Sequence, residues 1–70
     1  MAKSRLWRLR RMNGQIDAEI RDAGDDGVEI RITLNGELVY QQRYDDRGRA
    51  VAEAAAKRAE LERSGWTEHW

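Results

Sequence analysis

Apolar and polar residues alternate along the first 44 residues, in four runs separated by short segments that contain glycine. Alternation with a period of two is typical of strands with one buried face. The runs predict strands over residues 6–12, 15–22, 28–34 and 37–44. From residue 47 to residue 64 the period changes to that of a helix, and residues 65–70 form a tail. This pattern predicts an α+β fold in the order ββββα: a four-stranded antiparallel meander sheet with one C-terminal α-helix packed on its apolar face.

The first two turns set the register of three strands. Asn-Gly between alternating runs is the strongest local hairpin signal, because both residues tolerate the positive φ of a tight turn. A two-residue loop at Asn13-Gly14 places Arg10 opposite Asp17 on one face. A five-residue loop over 23–27 then places Ile20 opposite Ile30. Both registers keep apolar residues together, and a slip of one residue would turn them to the opposite face.

The third turn requires a different loop. A two-residue loop at Asn35-Gly36 would place Ile32 opposite Val39 and mix an apolar face with a polar one. We therefore expect a three-residue loop over 34–36, with Gly36 forming a bulge and Ile32 opposite Leu38. The predicted core face is then formed by Trp7, Leu9, Ile16, Ala18, Ile20, Val28, Ile30, Ile32, Leu38 and Tyr40.

The helix has a predicted cap at each end. Asp45 or Asp46 can accept backbone N–H hydrogen bonds at the N-terminus. Gly65 and the apolar residue Trp66 after it predict a Schellman ending, with Trp66 packed on Leu61. Two charged residues, Arg58 and Glu62, fall within the apolar arc. Either the helix end overhangs the sheet, or this pair contacts a second chain.

Composition indicates one small domain over residues 1–70. The chain has 13 basic and 13 acidic residues and no cysteine, so it can form neither a disulfide nor a thiolate metal site. No apolar run approaches the roughly 18 residues of a membrane span, and no signal-peptide segment follows Met1. We expect a cytoplasmic protein that does not associate with membranes.

Few residues are suited to catalysis or metal binding. His69 is the one histidine, near the end of the sequence, and no serine can be assigned beside it as an activated nucleophile. Asp22, Asp25 and Asp26 share a loop but lack the alternate ligands and the distal glutamate of a calcium loop. We therefore expect a protein that is not an enzyme and that binds neither a metal ion nor a cofactor.

Nucleic acid is the leading hypothesis for a ligand. The polar sheet face would carry five arginines, which are suited to phosphates and base edges: Arg8, Arg10, Arg21, Arg31 and Arg43. Three acids share this face and partly neutralise it: Asp17, Glu19 and Glu29. The aromatic residues Trp7 and Tyr40 point to the core, so this face offers no platform for stacking bases.

The alternative is a protein–protein interaction or regulatory module, in which the helix, the tail tryptophans or an edge strand contacts the partner. Its candidate residues are Arg58, Glu62, Trp66 and Trp70. Tryptophan is enriched at binding hot spots, and an edge strand can pair with another chain. The partner in this hypothesis is another protein or a second copy in a homodimer.

Two resemblances rest on the order of the elements. Residues 6–64, four strands and then a helix, resemble the repeat of the PC4, Pur-alpha and Whirly group of single-stranded nucleic-acid-binding proteins. The stretch from Glu37 to Tyr44, followed by an alanine-rich helix, resembles the end of integrase arm-type DNA-binding domains. The first resemblance implies homodimers joined through helices and edge strands, and the second implies a sheet laid in the major groove.

Overall fold

The structure, a computed structural model, describes residues 3–68. It contains one antiparallel sheet with the strand order β1-β2-β3-β4, followed by a helix, α1. A short 3-10 turn, Gly24–Asp26, lies between β2 and β3. The bounds are β1 Lys3–Arg11, β2 Gly14–Asp22, β3 Val28–Leu34, β4 Glu37–Tyr44 and α1 Arg47–Arg63. The α+β fold in the order ββββα is confirmed.

The β1–β2 turn lies one residue earlier than expected. Arg11 pairs with Gly14, so that Met12-Asn13 is the loop, and Met12 adopts a φ of 51°. Gly14 is the first residue of β2 and not, as the sequence predicts, part of the turn. A β-carbon at this position would lie 3.1 Å from the Trp66 indole, so the glycine permits close approach of the ring.

This turn changes the predicted pairing of β1 with β2. Arg10 lies opposite Gln15, and Arg8 lies opposite Asp17, so the predicted pairing of Arg10 with Asp17 is wrong. The shift is two residues. Because side chains alternate with a period of two, every side chain keeps its predicted face. Nearer the N-terminus of β1, a bulge at Leu6 shifts the register with β2 by one residue.

The β2–β3 hairpin forms in the predicted register, with Ile20 opposite Ile30 and Ala18 opposite Ile32. Its loop is closed by a hydrogen bond of 2.8 Å from the backbone N–H of Ala23 to the carbonyl of Gly27. These two inner strands have no register shift, and they form the continuous centre of the sheet.

The β3–β4 turn contradicts the three-residue loop. Asn35-Gly36 forms a two-residue turn with φ values of 52° and 89°, and the additional residue is a bulge at Val39. Ile32 therefore lies opposite Tyr40 instead of Leu38. Leu38 is on the opposite face and 45% exposed, so its predicted place in the core is wrong. Asn-Gly suits a two-residue turn with two positive φ angles. The additional residue needed to align the apolar faces of β3 and β4 is therefore a bulge within β4 and not part of the turn.

The core lies between the sheet and α1, which lies nearest to β3 and β4. Trp7 spans the remaining gap from β1, and its indole Nε1 donates a buried hydrogen bond of 3.0 Å to the Ala54 carbonyl. The partly buried residues Leu6, Tyr44 and Trp66 pack around the edge of this core. The buried apolar residues are Trp7, Leu9, Ile16, Ala18, Ile20, Val28, Ile30, Ile32, Ala50 and Ala54.

Both helix caps form. Asp46 accepts a hydrogen bond of 3.3 Å from the Gly48 N–H. At the other end Gly65 has a φ of 103°, and the Trp66 N–H donates to the Leu61 carbonyl at 3.1 Å, which confirms the Schellman ending. Among residues 3–68 no helix combines the length and the apolar character needed to cross a membrane.

The tail is attached to the outer edge of β1. Arg10 and Thr67 exchange two backbone hydrogen bonds, of 2.7 and 2.9 Å, in an antiparallel bridge. The next residue, Glu68, forms an ion pair with Arg58 of α1. The tail therefore connects the helix end to the first strand.

Candidate nucleic-acid interface

The sheet face opposite α1, called the outer face below, is covered by no helix among the described residues. Strand register places on it all five arginines that the sequence predicts. Because the pairing of each strand fixes its alternation, the same registers identify the other members. The outer face is formed by Lys3, Arg5, Arg8, Arg10, Gln15, Asp17, Glu19, Arg21, Glu29, Arg31, Thr33, Leu38, Gln41 and Arg43.

Charge is distributed unevenly between this face and the remainder of the described chain. The outer face carries seven basic and three acidic side chains, a net charge of four positive. The remaining described residues carry six basic and ten acidic side chains. A chain with a formal net charge of zero thus has one positive face and an acidic remainder. Such a distribution attracts polyanions to one side of the molecule.

The acids on β2 are held by neighbouring side chains. Asp17 accepts a hydrogen bond of 2.6 Å from Arg8 Nε and another of 3.1 Å from the Gln15 amide. Glu19 lies 3.6 Å from Lys3 Nζ. These contacts pair each carboxylate within the sheet, as cross-strand ion pairs do.

Glu29, the acidic residue that β3 contributes to the outer face, is buried. Glu29 is 8% exposed and accepts a hydrogen bond of 2.6 Å from the Gln41 amide, while Arg21 Nη1 lies 3.9 Å away. The neighbouring Arg31 lies between Glu19 and Gln41 in the register, and its buried Nε has no hydrogen-bond partner among the described residues. Part of the hydrogen-bonding capacity of Arg31 is therefore unused within this part of the chain.

Two cations of the outer face are missing from the sequence prediction. Lys3 and Arg5 lie before the predicted start of β1, but the strand begins at Lys3. The bulge at Leu6 turns both of them toward the outer face. The consecutive apolar residues Leu6 and Trp7, which interrupt the alternation, are the signal in the sequence for this bulge.

The candidates for partner binding are engaged within the chain. Arg58 pairs with Glu62 at 3.2 Å and also with Glu68. Burial lowers the pKa of Arg58, but its interactions with these carboxylates raise the pKa above its ordinary value. Trp66 is half-buried against Gly14 and the core. Trp70 lies outside the described residues.

The aspartates of the β2–β3 loop have structural roles. Asp22 accepts a hydrogen bond of 2.9 Å from the Gly24 N–H, and Asp26 lies 3.9 Å from Arg43. Within residues 3–68 no group of three or more metal-ligating side chains is placed to hold an ion. His69 lies outside this range.

The opposite side of β4 carries a tyrosine pair. The hydroxyls of Tyr40 and Tyr44 share a hydrogen bond of 3.1 Å, and Lys57 Nζ lies 4.3 Å from the centre of the Tyr40 ring. Burial, followed by the hydrogen bond that the Tyr44 hydroxyl shares with Tyr40 and by the nearby charge of Glu53, raises the pKa of Tyr44 to about 12.

We expect this raised pKa to make unfolding dependent on pH in alkaline solution. Between the ordinary pKa of about 10 and the folded pKa of about 12, the unfolded chain loses the Tyr44 proton while the folded chain retains it. The free energy of unfolding therefore falls as pH rises through this window. Absorbance titration at alkaline pH should show Tyr44 losing its proton near pH 12, and Tyr40→Phe should move the pKa of Tyr44 downward. A Tyr44 titration unaffected by Tyr40→Phe would contradict the hydrogen-bond contribution.

Comparison with protein-family models, with curated proteins and with solved structures finds no match, so the functional assignment depends on the geometry and charge of this chain.

Proposed function

We propose that this protein is a small non-enzymatic binding protein that holds nucleic acid on the outer face of its sheet. The observation that supports the proposal is the excess of cations on that face, seven basic against three acidic side chains. Four strands place these cations on one surface about 14 Å wide, since paired strands lie about 4.8 Å apart. A surface of this kind can meet several phosphates at once.

The acids of the face weaken this attraction without abolishing it. Asp17 and Glu29 are each held by a short hydrogen bond to a neighbouring side chain. The register places one arginine opposite each acid, and the cations of β1 exceed the acids of β2. Phosphate contacts therefore depend mainly on β1 and on the arginines of β3 and β4.

The face is suited to contacts with the phosphate backbone. No aromatic side chain of residues 3–68 lies on it, because Trp7, Tyr40 and Tyr44 are on the helix side. Without stacking, each base of a single strand loses roughly 1–3 kcal/mol of binding energy. We therefore expect weak sequence preference and an affinity that falls steeply with salt.

Replacing two cations of β1 tests this proposal. The double variant Arg5→Gln with Arg10→Gln leaves the ion pair between Arg8 and Asp17 intact. We expect it to bind duplex DNA roughly tenfold more weakly at low salt, and to reduce the slope of log K against log salt by about 1.8. Fluorescence anisotropy with labelled duplex and single-stranded oligonucleotides at two or more salt concentrations measures both quantities.

A matched control uses two exposed arginines of α1. Arg47→Gln with Arg63→Gln removes the same charge from the opposite side of the molecule, and it should change affinity much less. If both double variants weaken binding equally, net charge alone is responsible and the outer face is not the site. If the unaltered protein shows no binding at tens of micromolar in low salt, the proposal is wrong.

A further inference from the structure

The two edges of the sheet differ. The outer edge of β1 is bridged by Thr67, whereas no described residue pairs with the outer edge of β4. β4 has eight residues and contains neither proline nor lysine, which commonly protect exposed edges. Its Val39 is 55% exposed beside the edge. The backbone N–H and C=O groups that β4 directs away from β3 can therefore accept another strand.

The sequence of β4 matches itself in antiparallel orientation. The bulge at Val39 leaves Tyr40–Tyr44 as the regular part of the strand. An axis through Gln42 pairs this whole segment with a second copy. Tyr40 then lies opposite the partner's Tyr44 on the helix side, and Gln41 lies opposite the partner's Arg43 on the outer face. Both pairs join side chains of the same face, as antiparallel pairing requires.

The flank of α1 above β4 carries charges of alternating sign. Along the helix they are positive, negative, positive and negative, in the order Arg49, Glu53, Lys57 and Glu60. Their positions relative to the β4 tyrosines place them on this flank. Glu53 and Arg49 are near enough to Tyr44 for their charges to influence its hydroxyl, and Lys57 Nζ lies over the Tyr40 ring. Glu60 lines a shallow cavity together with Tyr40 and Lys57.

The axis that fits the strand also fits the helix. Because Lys57 lies over Tyr40 and Glu53 lies near Tyr44, pairing Tyr40 with the partner's Tyr44 brings Lys57 opposite the partner's Glu53. The same rotation brings Arg49 toward the partner's Glu60. Two sets of side chains on different elements are thus complementary about one two-fold axis, which is the requirement for an isologous dimer.

We propose that a second copy of this chain pairs with β4 in antiparallel orientation, with the two-fold axis at Gln42. The two sheets form one sheet of eight strands, and both helices lie on the same side. The two outer faces then join into one continuous surface. Five strand residues and a row of helix charges make a small interface, so we expect a dimer that dissociates in the micromolar range. This inference does not depend on the proposed binding of nucleic acid.

Charge reversal with mixing tests this axis. Glu53→Lys places lysine opposite the partner's Lys57, and Lys57→Glu places glutamate opposite the partner's Glu53. We expect each variant alone to dimerise roughly tenfold more weakly, because a reversed charge acts twice in a symmetric dimer. An equimolar mixture should recover the original affinity, since both pairs across the axis then have opposite signs. Sedimentation equilibrium without nucleic acid, over 1–500 µM, measures each case.

Each outcome decides the proposal. Arg63→Glu, a charge reversal near the end of α1, is the control and should leave dimerisation unchanged, and circular dichroism should show that all variants are folded. If the protein is a monomer at every concentration, the proposal is wrong, and any strand that pairs with the β4 edge must come from a different protein. Dimers that persist in both single variants, or that fail to recover on mixing, overturn the axis at Gln42.

Discussion

Replacement of Trp7 with alanine is expected to lower the free energy of unfolding by about 3–5 kcal/mol. The indole spans the gap between β1 and α1, and it is 7% exposed. The space that it leaves is filled poorly, because two residues that face it, Ala18 on β2 and Ala54 on the helix, have small side chains. A domain of this length has a total stability of roughly 3–10 kcal/mol, so the variant should be largely unfolded at modest denaturant concentration.

Trp7→Phe separates volume from hydrogen bonding. Phenylalanine retains much of the apolar volume but leaves the Ala54 carbonyl without the indole N–H, so we expect a loss of about 1–2 kcal/mol. Urea denaturation followed by circular dichroism measures both variants. If the alanine variant is no less stable than the phenylalanine variant, the indole does not hold the helix on the sheet in the way described.

Replacement of Gly27 with alanine is the second substitution with a large expected effect. Gly27 has a φ of 87° and a ψ of −131°, a region that only glycine adopts readily. An added β-carbon would overlap the carbonyl oxygen of Tyr44 and lie 3.1 Å from the Asp45 Cα. These are backbone atoms, so no rotation of a side chain relieves the overlap, and the end of β4 must move away from β3.

We expect Gly27→Ala to cost about 3 kcal/mol or more, from conformational strain of roughly 1–3 kcal/mol and the displaced strand end. Gly24→Ala is the matched control in the same loop. Gly24 has a φ of 68°, but an added β-carbon meets nothing within 4 Å, so only a conformational cost of about 1–2 kcal/mol applies. Denaturation midpoints compare the two variants. An equal loss in both would show that the close approach to Tyr44 does not contribute.

The sequence predicts the element order and the side-chain faces well because both depend on local patterns. The β2–β3 register follows from alternation and loop length together, since Ile20 and Ile30 meet only if both agree. Asn35-Gly36 also forms the two-residue turn that its residues favour, although the alignment of apolar faces led to the wrong prediction of a three-residue loop. The helix ending at Gly65 follows from the same kind of local signal.

The details of the two outer strands depend on contacts that the sequence pattern does not contain. Gly14 lies against the Trp66 indole, although the two residues are far apart in the chain. This contact accompanies the shift of the β1–β2 turn by one residue. The bulges at Leu6 and Val39 fall where two apolar residues are adjacent, but the pattern alone does not say which strand takes the additional residue. The sequence pattern therefore predicts too small a positive charge for the outer face, because it does not show that the bulge at Leu6 adds Lys3 and Arg5.

The bridge between Arg10 and Thr67 has a consequence for synthesis of the protein on the ribosome. The hairpins form between neighbouring segments and can assemble as each strand emerges, whereas this bridge must wait until residue 67 has left the exit tunnel. Until then the side of β1 that Thr67 bridges in the finished domain stays open. The nascent chain therefore passes through a stage in which both edges of the sheet are open, and this stage ends when Thr67 emerges and pairs with Arg10.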